Sequence, residues 1–279
     1  MLEPSTSKFT SYVMLILSYL FGAVSLLLWM VFLFYGSLNL VNLGLSEIAG
    51  LGLNAFLSLA FFIQHSMMLR RSFRRWLAKF IRAEYHGALF TIASGLVLLI
   101  LVVFWQESAY VLATPQGIIR WLMRAVFILA ILGSYWGFWV LGSFDAFGLS
   151  PILNNLRGTD PPQMPFVVRG PYRWVRHPLY FFSLLLIWSC PDLSLDRLLY
   201  NILWSTWIIV GSVLEERDLL ADFGESYRDY QRKVPMLIPW RIRTVRWGRE
   251  YDYLAEQPRA EVMQLIRNRE GERTISPGY

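Results

Sequence analysis

The sequence predicts an all-α, polytopic membrane helix bundle with five long spans, one short span and an amphipathic helix after the last span. Three observations indicate this fold class, two of them from the composition. Of the 279 residues, 55% are hydrophobic and only 16% are charged, whereas soluble domains carry about 25% charged residues. The third observation is that the apolar residues form long continuous blocks, as in membrane helices. The same features exclude soluble globular, collagenous, disordered and disulfide-rich secreted proteins.

The five long blocks approach or exceed the roughly 20 apolar residues that a helix needs to cross the hydrocarbon core. They are residues 12–35, 48–68, 88–105, 121–142 and 198–214. The first block is too long for a signal-peptide core and lacks a small-residue cleavage site, so we expect it to remain as a span. A sixth block, residues 178–190, is apolar but short and predicts a half-span or one arm of a helical hairpin.

The basic residues orient the predicted bundle. With a cytoplasmic N-terminus, all but three of the 26 Lys and Arg residues fall on the inner side. The exceptions are Arg120 and Arg197, expected on the outer side, and Arg124, which lies within the fourth span and is expected to reach the outer interface. This asymmetry predicts an integral, multi-pass membrane protein with both termini in the cytoplasm, in the inner membrane if the cell is bacterial. Topology and anionic lipid then explain the net charge of +6, with no nucleic-acid partner.

The chain divides into three predicted regions. Residues 1–142 form an N-terminal region of four spans, and residues 241–279 form a basic cytoplasmic tail. Residues 143–240 contain a cytoplasmic loop, the short helical hairpin and the amphipathic helix. Because the predicted outer loops are short, we expect the chemistry in this middle region.

Residues 168–180 place polar side chains at a predicted helix start. His177 precedes Pro178, which biases it towards an extended backbone, and Pro178 suits the first position of the short helix. Tyr172, His177 and Tyr180 then stand where free N–H groups favour an anionic ligand. The alternative is an interface anchor, because Arg, Tyr and Trp side chains also favour the depth of lipid headgroups.

Glu215 and Glu216 stand where the last span leaves the hydrocarbon. Apolar residues recur at helical spacing from residue 213 to residue 234. This pattern predicts one amphipathic helix that lies along the interface and ends before Pro235. A carboxylate close to hydrocarbon is unfavourable, so we expect either nearby arginines or a cationic ligand to compensate it.

These two segments together resemble the integral-membrane methyltransferases of the isoprenylcysteine carboxyl methyltransferase type. The resemblance rests on Arg176-His-Pro-Leu-Tyr180 and on Glu215-Glu216 followed by Phe223-Gly224, Tyr227, Tyr230 and Val234-Pro235. Two further segments are most similar to the methanethiol S-methyltransferase branch: Gln64-His-Ser-Met-Met68 and Phe144-Asp-Ala-Phe-Gly-Leu149. The similarity covers roughly residues 50–240.

The resemblance implies an S-adenosylmethionine site on the cytoplasmic side. The implied cofactor-binding residues are Val167, Tyr172, His177, Pro178, Leu179, Tyr180, Glu215 and Glu216. For the substrate site we expect His65, Phe144 and Asp145. The alternatives are a hydrogen-bonded interface histidine for His65 and a helix cap for Asp145.

The expected activity is S-adenosylmethionine-dependent methyl transfer to a small or lipophilic thiol. A thiol is partly ionised at neutral pH and strongly nucleophilic, whereas an amine or lipid headgroup more often needs a general base. No dedicated base stands out, so no catalytic residue is assigned. Two alternatives stay open: methylation of a phospholipid or other lipid headgroup, and a non-enzymatic membrane accessory protein. No metal is expected, because His65, His86 and His177 lack metal-binding motifs and Cys190 is the one cysteine.

Overall fold

The computed structural model describes residues 4–142, 145–159 and 168–240, which form a helical bundle. In chain order the helices are α1 (Pro4–Tyr35), α2 (Glu47–Leu69), α3 (Arg71–Leu77), α4 (His86–Phe104), α5 (Gly117–Leu141), α6 (Ser150–Arg157), α7 (Pro178–Trp188), α8 (Leu195–Phe223) and α9 (Glu225–Lys233). Strands β1 (Val111–Ala113) and β2 (Leu193–Ser194) pair antiparallel. We call the end of the bundle with Arg70, Arg71 and Arg176 the basic end, and the end with β1 and β2 the far end.

The predicted fold class is confirmed. Helices α1, α2, α4, α5 and α8 are long and apolar enough to cross a membrane, and they coincide with the five predicted blocks apart from longer ends at α1 and α8. Helix α7 has 11 residues, which is about 16 Å of helix against a hydrocarbon core of about 30 Å. The short block is therefore a helix of half the required length.

Glycines bring the backbones of neighbouring helices close together. A Cβ built on Gly95 of α4 would lie 2.7 Å from the carbonyl oxygen of Phe21 in α1. A Cβ built on Gly137 of α5 would lie 2.8 Å from Leu179 of α7. These two helix pairs consequently pack along their lengths, and the main core forms between α1, α2, α4, α5, α7 and α8.

Arg197, which the charge pattern placed on the outer side, is buried at the far end. Its guanidinium donates to the carbonyl oxygens of Phe32 (3.2 Å) and Leu33 (3.0 Å), in the last turn of α1. It also donates to the carbonyl oxygen of Ile187 in the last turn of α7 (3.0 Å). Helix C-termini carry partial negative charge and carbonyls without a partner in the helix, so one buried cation satisfies the ends of two helices.

Arg124 reaches the same end of α1. Its guanidinium lies 3.8 Å above the Phe34 ring and donates to the Phe34 carbonyl oxygen. The last turn of α1 therefore receives donors from Arg124 in α5 as well as from Arg197 in α8. Two arginines therefore fix the far end: Arg197, which the charge pattern assigned to the outer side, and Arg124, which it assigned to the fourth span.

The predicted single amphipathic helix is two helices. Helix α8 continues beyond the apolar block to Phe223, and the chain turns at Gly224, which has φ 55°. That value lies in the region that favours glycine. The apolar side chains of α9 pack against Val168, which lies in the loop before α7, and against the end of α8.

We predict that Arg197→Met destabilises the protein strongly. The carbonyl oxygens of Leu33 and Ile187 lose their donor, whereas that of Phe32 keeps the N–H of Gly36. Each lost donor typically costs about 1–3 kcal/mol, so we expect the free energy of unfolding in detergent to fall by about 3 kcal/mol. A denaturant titration followed by tryptophan fluorescence measures the change. The matched control is Arg120→Met, which breaks a half-exposed ion pair with Asp192 and should change stability by about 1 kcal/mol or less. Equal effects of the two substitutions would contradict the capping role of Arg197.

Candidate active site

The segment before α7 is held by the chain that follows α9. The N–H of Arg176 donates to the carbonyl oxygen of Pro235 (2.9 Å), and the N–H of His177 donates to that of Met236 (3.1 Å). Pro178 stands in the first turn of α7, so the predicted helix start is confirmed. These bonds bring the two motif segments side by side at the basic end.

Glu216 is surrounded by hydrogen-bond donors. Its carboxylate accepts from Arg176 Nε (2.5 Å), Gln231 Nε2 (3.0 Å) and the Tyr227 hydroxyl (3.4 Å), and it lies 3.3 Å from His177 Nε2. The side chains of Arg176 and Glu216 are only 10% and 13% exposed. This carboxylate is therefore engaged by the protein itself, and its charge is balanced by an arginine.

Arg176 also joins the site to α9. Its guanidinium donates to the carbonyl oxygens of Gln231 (3.1 Å) and Val234, at the end of that helix. The Tyr230 hydroxyl donates to the Tyr172 carbonyl oxygen (2.6 Å). The expectation that a nearby arginine compensates a carboxylate here holds for Glu216, although the sequence did not single out Arg176. Nothing in the spacing marked Gln231 as a partner.

Glu215 differs from its neighbour because its side chain is 45% exposed. One carboxylate oxygen lies 3.8 Å from His177 Nδ1, and the hydroxyl of Tyr180 interacts with the same carboxylate. Burial raises the pKa of Tyr172 above its ordinary value, and the charge of Glu215 raises it further. The Tyr172 hydroxyl consequently stays protonated at neutral pH. The site presents one open carboxylate, two tyrosine hydroxyls and an imidazole.

The other residues of the motif at the start of α7 point in different directions. The ring of Tyr180 stacks on that of His177, with centroids 5.5 Å apart and planes at 25°. Pro178 is buried, and the Leu179 side chain packs against Gly137 of α5. Tyr180 therefore faces the open carboxylate, whereas Leu179 can contribute to this side only through its backbone.

His65 lies on α2 among aromatic rings. Its ring centroid is 5.2 Å from that of Phe61 and 4.8 Å from that of Phe90. The Nδ1 atom is buried and has no hydrogen-bond partner in the part of the chain that the structure describes. The alternative for His65 was a histidine held by hydrogen bonds at the interface, and the structure shows no such bond at Nδ1.

Asp145 is occupied by its own loop. Its carboxylate accepts from the backbone N–H groups of Phe147 (3.3 Å) and Ser150 (2.6 Å), the latter at the start of α6. This arrangement matches the capping alternative. Two other expected site residues, Phe144 and Val167, lie outside the described residues. Within residues 4–142, 145–159 and 168–240, no group of three or more His, Cys, Asp or Glu side chains is arranged to hold a metal.

Comparison with known proteins identifies several relatives. The chain is 37% identical to methanethiol S-methyltransferase 2 of Bradyrhizobium diazoefficiens over 186 residues, which is 67% of this chain and 72% of the relative. It is 33% identical to methanethiol S-methyltransferase of Mycobacterium tuberculosis, over 64% of this chain and 74% of the relative. Nurim of Rattus norvegicus is more distant, at 26% identity over 62% of this chain and 70% of the relative. No family model and no solved structure matches the sequence.

We predict that the two adjacent glutamates differ in their effect on stability. Glu216→Gln leaves Arg176 buried without a counter-charge, and breaking a buried ion pair typically costs about 3–5 kcal/mol. Glu215→Gln should change the free energy of unfolding by about 1 kcal/mol or less, because its carboxylate is half-exposed. Denaturant titration of both variants in detergent measures the difference. A loss for Glu215→Gln as large as that for Glu216→Gln would contradict the division of roles.

Proposed function

The chain belongs to the methanethiol S-methyltransferase family, and from this premise we propose that it transfers a methyl group from S-adenosylmethionine to a small thiol at the basic end of the bundle. The observation that carries the proposal is the open carboxylate of Glu215 beside Tyr172, His177 and Tyr180. The positive-inside asymmetry supports a cytoplasmic location for this end, and for both termini.

The donor set fits a ligand that carries both signs of charge. Glu215 is half-exposed and, unlike Glu216, is not paired with an arginine among the described residues. It is suited to a cationic group of the methyl donor. The first turn of α7, where His177 makes no side-chain cap, leaves backbone N–H groups that favour a carboxylate. We assign Tyr172, His177, Pro178, Leu179, Tyr180, Glu215 and Val167 to the cofactor site, with Glu216 as the residue that positions them.

When bound, S-adenosylmethionine supplies a methyl group activated by a positively charged sulfur. The protein's part in an in-line displacement is to hold both reactants in line and to exclude water. Glu215 fixes the donor by charge, the stacked rings of His177 and Tyr180 form an aromatic wall, and the neutral Tyr172 hydroxyl donates a hydrogen bond. The acceptor's own ionisation provides the nucleophile, so the site needs no strong base.

The acceptor side is assigned to His65, whose aromatic surroundings suit a small apolar molecule. Phe144 stays a proposed substrate residue. The engagement of Asp145 by its own loop favours a capping role for that carboxylate. A small volatile or lipophilic thiol reaches such a position through the bilayer.

We predict that purified protein in detergent binds S-adenosylmethionine in calorimetry and that Glu215→Gln weakens this binding. A hydrogen bond to a charged group contributes about 1.5–3 kcal/mol, so the dissociation constant should rise about tenfold or more. The control is Glu225→Gln, a carboxylate on the exposed face of α9, which should leave affinity unchanged. Label from the methyl donor should appear on methanethiol. Absence of binding would favour the non-enzymatic accessory protein, and label on lipid alone would favour a headgroup methyltransferase.

The pH dependence of the reaction is a separate prediction. If the thiolate is the nucleophile and the protein supplies no base, kcat/KM for the thiol should rise about tenfold per pH unit at pH values below the thiol pKa. Initial rates between about pH 6 and pH 8, with donor affinity measured in parallel, give the slope. A flat or bell-shaped profile would instead indicate a general base on the protein.

A further inference from the structure

Helix α2 contacts α8 through aromatic rings, among them the stacked pair of Phe62 and Trp207 with centroids 4.8 Å apart, and the chain that follows α2 contacts α8 again. Towards the far end, the ring of Phe61 stacks on that of Trp204 with centroids 5.1 Å apart. At the basic end, Arg71 at the start of α3 pairs with Asp222 at 2.6 Å. The residues of α8 between these contacts determine whether the space between the two helices is filled.

Gly211 lies between the two contacts on the face of α8 that is turned towards α2. It follows Trp204 by seven residues and precedes Asp222 by eleven, or about two and three helical turns, so the three residues share a face. A Cβ built on Gly211 would meet no heavy atom within 4 Å among the described residues.

Other glycines of the bundle serve a different purpose. At Gly133 and Gly137 of α5, a Cβ would collide with Phe182 and Leu179 of α7, so those glycines permit close packing. At half-buried Gly211 a Cβ would meet only open space, so close packing does not require this glycine. Glu215 of the proposed cofactor site follows Gly211 by about one turn of α8.

The opposite wall of this space is supplied by α2. His65 follows Phe61 by one turn, on the same face. Its Nδ1 atom is buried with no partner among residues 4–142, 145–159 and 168–240, and an unsatisfied buried polar group is unfavourable. The wall is aromatic, with one nitrogen that lacks a hydrogen bond.

We propose that the gap between α2 and α8 at Gly211 is the acceptor pocket, and that Gly211 sets the size of the thiol it admits. This inference rests on the proposed function. In the reaction, the thiolate sulfur forms a bond to the methyl carbon while the bond from that carbon to the sulfonium sulfur breaks. The departing sulfur keeps the electron pair and becomes a neutral thioether, and the thiol proton has gone to solvent.

The test replaces Gly211 with Ala and with Leu and measures kcat/KM for straight-chain thiols of one, two and four carbons. Gly211→Leu should lower kcat/KM for all three thiols by about tenfold or more, because an apolar pocket discriminates single methylene groups by about 10–200-fold. Gly211→Ala should lower kcat/KM for the four-carbon thiol more than for methanethiol. The affinity for S-adenosylmethionine should stay within about twofold in both variants.

The matched control is Gly52→Leu. Gly52 lies on α2 near the far end, is exposed, and also has no heavy atom of the described residues within 4 Å of a built Cβ. It should behave as the unmodified protein. If Gly211→Leu does not fold, as judged by thermal unfolding, the size selectivity of Gly211→Ala alone decides.

Three results would overturn the pocket assignment while the proposed function stands: unchanged kcat/KM in Gly211→Leu, an equal loss in Gly52→Leu, or loss of donor binding by folded Gly211→Leu. If only Gly211→Ala folds, an equal effect on all three thiols would overturn it. If the unmodified protein binds S-adenosylmethionine and methylates none of the thiols, the proposed function fails and the acceptor pocket with it.

Discussion

The ion pair between Arg176 and Glu216 determines how the basic end is assembled. Two charges that are almost fully buried must compensate each other where hydrocarbon begins. The remaining donors of Arg176 reach the carbonyl oxygens at the end of α9, so the same pair ties α8, α9 and the segment before α7 together. Glu215, the residue before Glu216 on the helix, is turned by about 100° from it, so its side chain faces away from this ion pair.

A buried charge also needs partners at the far end, where carbonyl oxygens take the place of a carboxylate. Arg197 has no carboxylate partner among the described residues and uses the carbonyl oxygens that end α1 and α7. Helix α7 is thereby held at both ends although it is too short to span the bilayer. A half-length helix fixed in this way places His177 and Tyr180 beside the end of α8. A full-length span would carry its first turn further out.

The sequence predicted whatever depends on local patterns. Block length located the long helices, and the His177-Pro178 pair located the start of α7. The burial of Arg197 was missed because charge counting cannot show that two helix ends meet at one residue. The pattern also could not assign different roles to Glu215 and Glu216. Their roles differ because adjacent residues point about 100° apart on a helix, and because Gln231, which contacts Glu216, lies on α9 after the chain turns back. Gly224 within the amphipathic segment was the local signal for that reversal.

In the proposed reaction, the two reactants make opposite demands on their surroundings. The donor is charged and needs a carboxylate, whereas a small thiol is held by apolar contacts away from water. A helix that crosses from hydrocarbon to the aqueous face changes its polarity within one turn, about 5.4 Å. On α8 that turn runs from Gly211 to Glu215. One helix can thus present both surroundings about one turn apart, which is the separation that the proposed reaction needs between an apolar acceptor and a charged donor.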